Sequence, residues 1–114
     1  MSDCLFCKIL KAEIPSEKVY ENDVVYGFKD IQPLAKEHYL FIHKSHTKNI
    51  NDLATQAPHQ LTDVFTAISD FTRTNNLEED GFRVVTNVNS NGGQTVFHTH
   101  FHVLGGEALK GFGA

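Results

Sequence analysis

The chain has 114 residues, which is enough for one domain with an ordinary core and too few for several domains. Ten basic and 14 acidic residues give a net charge of −4, which argues against a broad nucleic-acid interface because such an interface needs a basic surface. The same balance permits a small anion held by a few local donors. We therefore expect residues 1–114 to form a single domain that does not bind nucleic acid.

The N-terminal segment has no basic stretch followed by a long apolar run, so it predicts neither a signal peptide nor a membrane span. We accordingly expect a cytoplasmic protein without a membrane partner, in which Cys4 and Cys7 stay reduced. The next residues, 5–11, are typical of a short helix that ends in the turn before Pro15.

Three strands are predicted next along the chain. Residues 18–21 and 24–29 form a hairpin around the turn signal Asn22-Asp23. A loop over 30–33 separates this hairpin from a strand over 38–43. Alternation in that strand places three side chains on one face, namely His38, Leu40 and Ile42.

The apolar period changes to 3.6 residues from about 58 to 76, which predicts a long helix with Pro58 in its first turn. Its apolar stripe consists of Leu61, Val64, Phe65, Ile68 and Phe71. A strand over 81–88, a polar loop over 89–95 and a final strand over 98–104 follow, with glycines at 105 and 106. Short connections and few helices predict an α+β fold with a largely antiparallel sheet and the helix on one face.

The final strand carries His98, His100 and His102 at alternate positions. Since alternate side chains of a strand share a face, neighbouring imidazoles of the row lie about 6.6 Å apart on one side. Imidazole titrates near neutral pH, binds metals and attacks phosphorus, so the row suggests chemistry. A surface strand or a simple metal chelator is the alternative.

The segment Gly92-Gly93-Gln94-Thr95 lies directly before this strand. Glycines let backbone N–H groups approach an anion, and the two side chains after them add donors, although a plain turn explains a glycine pair equally well. Phosphate donors beside a histidine row favour nucleophilic attack by histidine on phosphorus. The attacking ring would need a backbone carbonyl or another acceptor at its second nitrogen.

The run from Gly92 to Gly106, with the pattern His-φ-His-φ-His-φ-φ, resembles the signature of the histidine triad (HIT) family, and within it the nucleoside phosphoramidase branch. Further blocks follow in family order: Phe6-x-Lys8-Ile9, Glu13-Ile14-Pro15, Phe28-x-Asp30-Ile31-x-Pro33, His38-x-Leu40-x-Ile42 and Arg83-Val84-Val85-x-Asn87. The resemblance covers nearly the whole chain. It implies a HIT-like fold with a five-stranded, mostly antiparallel sheet, one long and one short helix, and a homodimer.

The resemblance implies that His100 attacks the α-phosphorus of a purine nucleotide and that water hydrolyses the nucleotidyl-histidine. It assigns His102 to the phosphate or bridging atom, His38 to orienting the triad, and His98 to the same catalytic group. Gln94 and Thr95 would hold phosphate oxygens or the leaving group, Asn87 would support the phosphate and ribose side, and Gly93 would bind through its backbone N–H. Asp30 would accept hydrogen bonds from the ribose, and a purine slot would be formed by Leu5, Phe6, Ile9, Phe28, Ile31 and Leu40.

Each of these residues also has a structural alternative. Asp30 is typical of a turn before proline, and Asn87 could cap the polar loop. His38 could be a buried histidine with satisfied hydrogen bonds, and the apolar residues could be ordinary core.

Cys4-x-x-Cys7 has the spacing of half a metal site. Some HIT proteins and the related galactose-1-phosphate uridylyltransferases look similar here, and the resemblance implies a structural zinc with His46 and His98 as the other ligands. The alternative is that the two cysteines are small packing residues. His43 and His59 belong to no pattern and are predicted to lie on the surface.

The leading hypothesis is an enzyme that cleaves the P–N bond of purine nucleoside phosphoramidates, such as AMP-lysine-like or aminoacyl-adenylate-like compounds, without a catalytic metal. A dinucleoside polyphosphate hydrolase or nucleotidyltransferase with the same nucleophile, and a non-catalytic nucleotide-binding scaffold, stay open. The tail over 107–114 lacks the Trp and Pro residues of the family, and the loop over 34–37 carries charge where a proline is common. The first difference leaves the leaving-group preference open, and the second leaves open how a substrate enters the site.

Overall fold

The computed structural model describes residues 4–111. The first three residues of the N-terminal segment and the last three of the 107–114 tail lie outside the described residues. The described elements in chain order are α1 (Leu5–Leu10), β1 (Lys18–Glu21), β2 (Val25–Lys29), β3 (Glu37–His43), α2 (Ile50–Gln56), α3 (Pro58–Thr74), β4 (Phe82–Val85), α4 (Asn89–Gly92) and β5 (His100–Gly105). None of the described helices is both long and apolar enough to cross a membrane.

The five strands form one sheet in the order β1-β2-β3-β5-β4, and every neighbouring pair is antiparallel. This arrangement confirms the expected α+β class and the five-stranded sheet. The central strands β3 and β5 are distant in sequence, so their pairing brings the histidine strand beside the strand that carries His38.

The register of the two central strands decides which side chains share a face. Leu40 lies opposite His102, and Ile42 lies opposite His100. Directly opposite residues of an antiparallel pair point to the same side of the sheet, so the histidines and the predicted face of β3 lie together.

The long helix α3 covers the other face of the sheet, as expected. The core on this side includes the fully buried side chains of Phe41 and Phe101, and Phe71 of α3 lies 5.3 Å from the Phe41 ring between centroids. The predicted apolar stripe of α3 is buried at Val64, Ile68 and Phe71. Phe65 is 44% exposed, and its ring contacts that of Phe101 with the centroids 5.1 Å apart.

The short helix α1 packs on the histidine face and forms a second, smaller core. Phe6 and Ile9 of α1 are buried against Phe28, Leu40 and Ile42 of the sheet. The helix begins after Cys4, whose sulfur accepts the N–H of Cys7. The first cysteine therefore starts the helix that walls this side of the molecule.

Two helices were not predicted from the sequence. Helix α2 buries only Leu53, so its apolar period is too weak to recognise, although Asn49 caps it by accepting the N–H of Asp52. Helix α4 is a single turn inside the predicted polar loop. The other differences are in element ends, since α3 ends at Thr74, β4 ends at Val85, and β5 begins at His100 instead of His98.

Candidate active site

A cavity of about 370 Å³ lies between α1, the strands β2, β3 and β5, and the loop that precedes β5. This volume is within the range of about 300–1,000 Å³ that small-molecule sites occupy. The predicted site residues on its wall are Leu5, Phe6, Ile9, Phe28, Asp30, Ile31, Leu40, Thr95, His100 and His102. Six other residues on this wall were not predicted from the sequence, although the Glu13-Ile14-Pro15 block was a signal for the first two: Ile14, Pro15, Ser16, Lys29, Gln32 and Val96.

The wall of the cavity is mainly apolar, and its polar groups are concentrated at one end. Phe6 and Phe28 meet edge to face with ring centroids 5.6 Å apart. Ile31 is 91% exposed and Leu5 is 42% exposed, so both lie at the rim. Such a slot can take a flat heterocycle, while Asp30, His100 and His102 provide hydrogen-bonding groups at its edge.

His100 is held in one tautomer by the backbone. Its Nδ1 lies 2.8 Å from the carbonyl oxygen of His98, and because a carbonyl only accepts, Nδ1 must carry a hydrogen. In the neutral ring, Nε2 is then left with a lone pair, as a nucleophile requires. Phe6 holds the ring edge-on at 5.0 Å between centroids, and burial lowers the pKa of His100. The predicted backbone acceptor for this histidine is therefore confirmed.

His38 and His102 form a chain of hydrogen bonds beside His100. Nδ1 of His38 accepts the N–H of Leu34 at 3.0 Å, so in the neutral ring Nε2 carries the hydrogen. That Nε2 lies 2.9 Å from Nδ1 of His102, which must accept and therefore keeps its own hydrogen on Nε2. Burial lowers the pKa of His38 and lowers that of His102 to about 4, so both rings are neutral at pH 7.

Asp30 lies at the end of this chain and on the cavity wall. One carboxylate oxygen accepts the N–H of Gln32 at 2.8 Å, which is the turn geometry expected before Pro33. The other oxygen lies 3.4 Å from Nε2 of His38. The structural and functional interpretations of Asp30 are thus compatible, since one oxygen shapes the loop and the other faces the histidines.

Gln94 is buried and all of its side-chain hydrogen-bonding groups are used inside the protein. Its amide donates to the carbonyls of Lys48 at 2.7 Å and Val96 at 3.1 Å, and its oxygen accepts the N–H of Asn89 at 2.9 Å. The expected role as a phosphate donor is not supported by this arrangement. Gln94 instead holds the loop before β5 against the segment before α2.

Asn87 and Gly93 also shape the loop and do not lie on the cavity wall. The side-chain amide of Asn87 donates to the carbonyl of Gly92 at 2.6 Å, which is the capping alternative. Gly93 has φ 83°, a left-handed conformation that favours glycine, and its N–H donates to Ser90. Of the four residues predicted to bind the phosphate, the adjoining ribose side or the leaving group, only Thr95 lines the cavity.

The predicted zinc ligands converge near His100. The ligand atoms of Cys4, Cys7, His46 and His98 all lie within 4.8 Å of one another. Nδ1 of His98 is 3.5 Å and 3.6 Å from the two sulfurs and 3.2 Å from Nδ1 of His46, which is itself 3.4 Å from the Cys7 sulfur. Zn–S bonds of about 2.3 Å and Zn–N bonds of about 2.0 Å at tetrahedral angles require N···S near 3.5 Å and N···N near 3.3 Å.

The protonation of this cluster also fits a metal. Nε2 of His98 donates to the carbonyl of His43 at 3.0 Å, so Nδ1 directs its lone pair toward the sulfurs. Burial raises the pKa of the Cys7 thiol, so its proton stays on at neutral pH unless a cation displaces it. Two thiolates and two neutral imidazoles would neutralise Zn²⁺ and fill a tetrahedral shell, which leaves no open position for a substrate.

His43 is buried, which makes the prediction of a surface position wrong, whereas His59 is exposed as predicted. Because side chains alternate along β3, His43 points to the α3 side of the sheet, where its Nδ1 lies 2.8 Å from the Gln60 side-chain oxygen. Nε2 lies 2.9 Å from the Thr47 hydroxyl, which in turn contacts Thr99 at 2.6 Å. This buried network fixes the backbone carbonyl that orients His98.

Comparison with known proteins places the geometry in a family context. A family model described as the HIT domain matches residues 11–109. The purine nucleoside phosphoramidase of Escherichia coli strain K12 is 37% identical over 107 residues, which cover 94% of this chain and 90% of that protein. An uncharacterized HIT-like protein of Borreliella burgdorferi is 40% identical over 114 residues, covering 99% and 82% respectively.

Solved structures with the same fold cover almost the whole chain. A HIT family hydrolase from Clostridium thermocellum superposes with a TM-score of 0.93 at 37% identity and covers 100% of this chain and 99% of that one. A HIT family hydrolase from Legionella pneumophila gives a TM-score of 0.90 at 41% identity and covers 95% and 96%. The expected fold is therefore confirmed.

Proposed function

The chain belongs to the HIT domain family of hydrolases, and on that premise we propose that it cleaves the P–N bond of purine nucleoside phosphoramidates and releases AMP. The substrates would be AMP-lysine-like or aminoacyl-adenylate-like compounds. The observation that carries the proposal is the tautomer of His100, whose Nδ1 is bonded to the His98 carbonyl on the wall of a nucleotide-sized cavity.

In the first step, Nε2 of His100 attacks the α-phosphorus. A bond forms between this nitrogen and phosphorus as the P–N bond of the substrate breaks. The leaving nitrogen keeps the electron pair and takes a proton from solvent. The Nδ1–H of His100 stays bonded to the His98 carbonyl, which stabilises the positive charge that develops on the ring.

In the second step, a water oxygen attacks the same phosphorus and the bond to His100 breaks. The electron pair returns to Nε2, AMP leaves, and the water proton returns to solvent, which balances the proton consumed in the first step. His102 cannot readily act as the acid because its Nδ1 accepts a hydrogen bond from His38. Its Nε2–H serves instead as a fixed donor to a phosphoryl oxygen, as an oxyanion hole does.

Substrate binding would use the two parts of the cavity wall. The purine would lie among the apolar side chains contributed by α1 and β2, including Phe6 and Phe28. Asp30 would accept hydrogen bonds from the ribose hydroxyls, and the Thr95 hydroxyl would donate to the phosphate. Ile9 and Leu40 would also contact the purine from the cavity wall, and His38 would act as a positioning residue for His102.

We also infer that Cys4, Cys7, His46 and His98 hold a structural zinc ion. When bound, the ion would close a tetrahedral site and link the N-terminal helix to the strand of the nucleophile. Its chemistry at this site is structural, since four protein ligands leave no coordination position for a substrate. The geometric fit of the four donor atoms supports this assignment.

We further propose a cytoplasmic homodimer. The strand β4 lies at one edge of the sheet, and Val84 on it is 36% exposed. An open edge can pair with a second copy. Sedimentation velocity at micromolar concentration would test this assignment, and a monomer of 12.8 kDa would contradict it.

The test of the proposed activity is an assay with adenosine 5′-phosphoramidate, run on the wild type, on His100→Ala and on His59→Ala as a matched control from the exposed side of α3. Mass spectrometry of quenched enzyme would detect the covalent nucleotide. We expect turnover and an AMP-sized adduct on His100 in the wild type and the control, and neither in His100→Ala. AMP binding without turnover would favour the scaffold alternative, and preference for a dinucleoside polyphosphate would favour the anhydride hydrolase.

A further inference from the structure

Asp30 and His102 on the cavity wall and the buried His38 behind them form a second compact group, with their ligand atoms within 4.8 Å of one another. Two histidines and a carboxylate at such distances can hold a metal ion. The hydrogen bonds argue otherwise, because Nδ1 of His38 accepts the Leu34 N–H and its Nε2 therefore carries a hydrogen. A metal would need that Nε2 as an unprotonated ligand, so the group is a hydrogen-bond network and not a metal site.

The single hydrogen on Nε2 of His38 has two competing acceptors. Nδ1 of His102 lies 2.9 Å away and the second oxygen of Asp30 lies 3.4 Å away. The His38 side chain is 1% exposed and that of Asp30 is 18% exposed. Water therefore has little access to the His38 N–H and does not replace either acceptor. Asp30 also faces the cavity, where a ligand can change what its carboxylate accepts.

We propose that Asp30 is a positioning residue that couples recognition of the ribose hydroxyls to hydrogen-bond donation by His102, through the shared N–H of His38. This inference rests on the proposed function. When ribose hydroxyls donate to the Asp30 carboxylate, that carboxylate competes less for the His38 hydrogen, which then goes fully to His102. Nδ1 of His102 accepts a stronger hydrogen bond, so its Nε2–H becomes a better donor to the phosphoryl oxygen.

The consequence is that the ribose hydroxyls accelerate the chemical step as well as strengthen binding. Removing one such donor outright costs about 10²–10³ in rate, and weakening it costs less, so we expect roughly a three- to tenfold effect. A residue that only binds ribose would change KM and leave the rate at saturation unchanged.

The kinetic test measures the pre-steady-state rate of nucleotide transfer to His100 at saturating substrate. The substrates are adenosine 5′-phosphoramidate and its 2′,3′-dideoxy analogue, and the proteins are wild type, Asp30→Ala, Asp30→Asn and the exposed control Asp23→Asn. Asp30→Asn retains an oxygen that can accept the Gln32 N–H, so this variant keeps the loop intact. It therefore provides the test even if the alanine variant does not fold. We expect loss of the hydroxyls to slow the wild type and Asp23→Asn three- to tenfold and both Asp30 variants less than twofold.

Two kinetic results would overturn the coupling. One is a wild-type rate at saturation that does not depend on the hydroxyls while KM rises. The other is a set of Asp30 variants that are slower with both substrates but keep the wild-type ratio. Failure of the wild type to transfer nucleotide from either substrate would instead refute the proposed function.

A second measurement, long-range ¹H–¹⁵N NMR of the histidine side chains, needs no turnover. In the free protein we expect the hydrogen on Nε2 of both His38 and His102. AMP should move the ¹⁵N signals of His102 further than 2′,3′-dideoxy-AMP does at equal saturation. A His38 ring with its hydrogen on Nδ1, or identical His102 signals with the two ligands, would overturn the coupling even in an active enzyme.

Discussion

Gln94 provides a direct test of the structural interpretation of the loop before β5. The resemblance to the family implied that this side chain holds phosphate, whereas its amide is buried and bonded to Lys48, Val96 and Asn89. The two roles predict different consequences for Gln94→Ala. If Gln94 holds the loop, the substitution should lower the stability of the protein. If Gln94 binds phosphate, the substitution should lower the reaction rate without changing stability.

The expected cost follows from the hydrogen bonds that the substitution removes. Each bond contributes about 0.5–1.5 kcal/mol net, and backbone groups left buried without a partner add to the cost. Water can reach part of the loop, because Gly93 and Thr95 on either side of Gln94 are exposed. We therefore expect Gln94→Ala to lower the free energy of unfolding by about 2–4 kcal/mol, which for a domain of this size corresponds to about 8–16 °C in Tm.

The assay is urea unfolding followed by circular dichroism, with Gln56→Ala as the control because Gln56 is exposed at the end of α2. The control should change stability by less than about 0.5 kcal/mol. Gln94→Glu should be at least as destabilising as the alanine variant, since it loses both donors and buries a charge. Unchanged stability of Gln94→Ala together with a rate lowered about 100-fold would refute the reasoning and restore the phosphate role.

Three other predictions follow from the same structure. Purified protein should carry about one zinc per chain, and the Cys7→Ser variant should carry much less zinc and unfold at a lower temperature. The site would be excluded if metal analysis found no zinc in the wild type and added Zn²⁺ left its Tm unchanged. Because burial holds the His102 pKa near 4, below its value of about 6.5 in the unfolded chain, the unfolded state binds more protons. Stability should thus be intact above about pH 6.5 and fall by about 1–3 kcal/mol toward pH 4, and a His102→Gln variant with the same pH slope in urea titrations would contradict this assignment. Gly27→Ala should lower the free energy of unfolding by about 1–3 kcal/mol, because the new Cβ would lie 2.8 Å from the buried Phe41 ring. Gly92→Ala is the control and should cost less, because its Cβ would have its nearest contact at 3.9 Å. Equal effects of the two substitutions in thermal unfolding would show that the strand shifts to make room.

The local pattern of the sequence predicted the faces of the elements well. Alternation grouped His38, Leu40 and Ile42 on one face of their strand and His100 and His102 on one face of theirs, and the helix was expected on the sheet face away from the histidines; the β3–β5 register then joined the two groups on one side. These predictions succeed because side-chain direction along a strand or helix depends on local geometry alone. The failure at α2 has the same origin, since a helix that buries only Leu53 has almost no apolar period.

The convergence of the cysteine and histidine ligands was predicted only through the resemblance. Cys4 caps α1 and Cys7 lies in its first turn, but His46 follows β3 and His98 precedes β5, so the meeting of the four ligands depends on how α1 packs on the sheet. Spacing alone identified half of that site. The burial of His43 also escaped prediction, because its partners Gln60 and Thr47 come from a helix and a loop.

The sequence by itself thus determined which residues can do chemistry here and which face of the sheet they occupy. The three-dimensional structure decided which atoms of these side chains are free to act, because hydrogen bonds select one of two ring nitrogens or occupy a side chain completely. The His98 carbonyl leaves the lone pair of the neutral His100 ring on Nε2, the Leu34 N–H makes His38 a donor to His102, and the Lys48 carbonyl accepts from the Gln94 amide. Periodicity along a strand fixes the face of a side chain but not these choices. The partners of His100 and His38 are near in sequence and depend on the local backbone and ring conformation, whereas the Lys48 partner of Gln94 is brought close only by the packed fold.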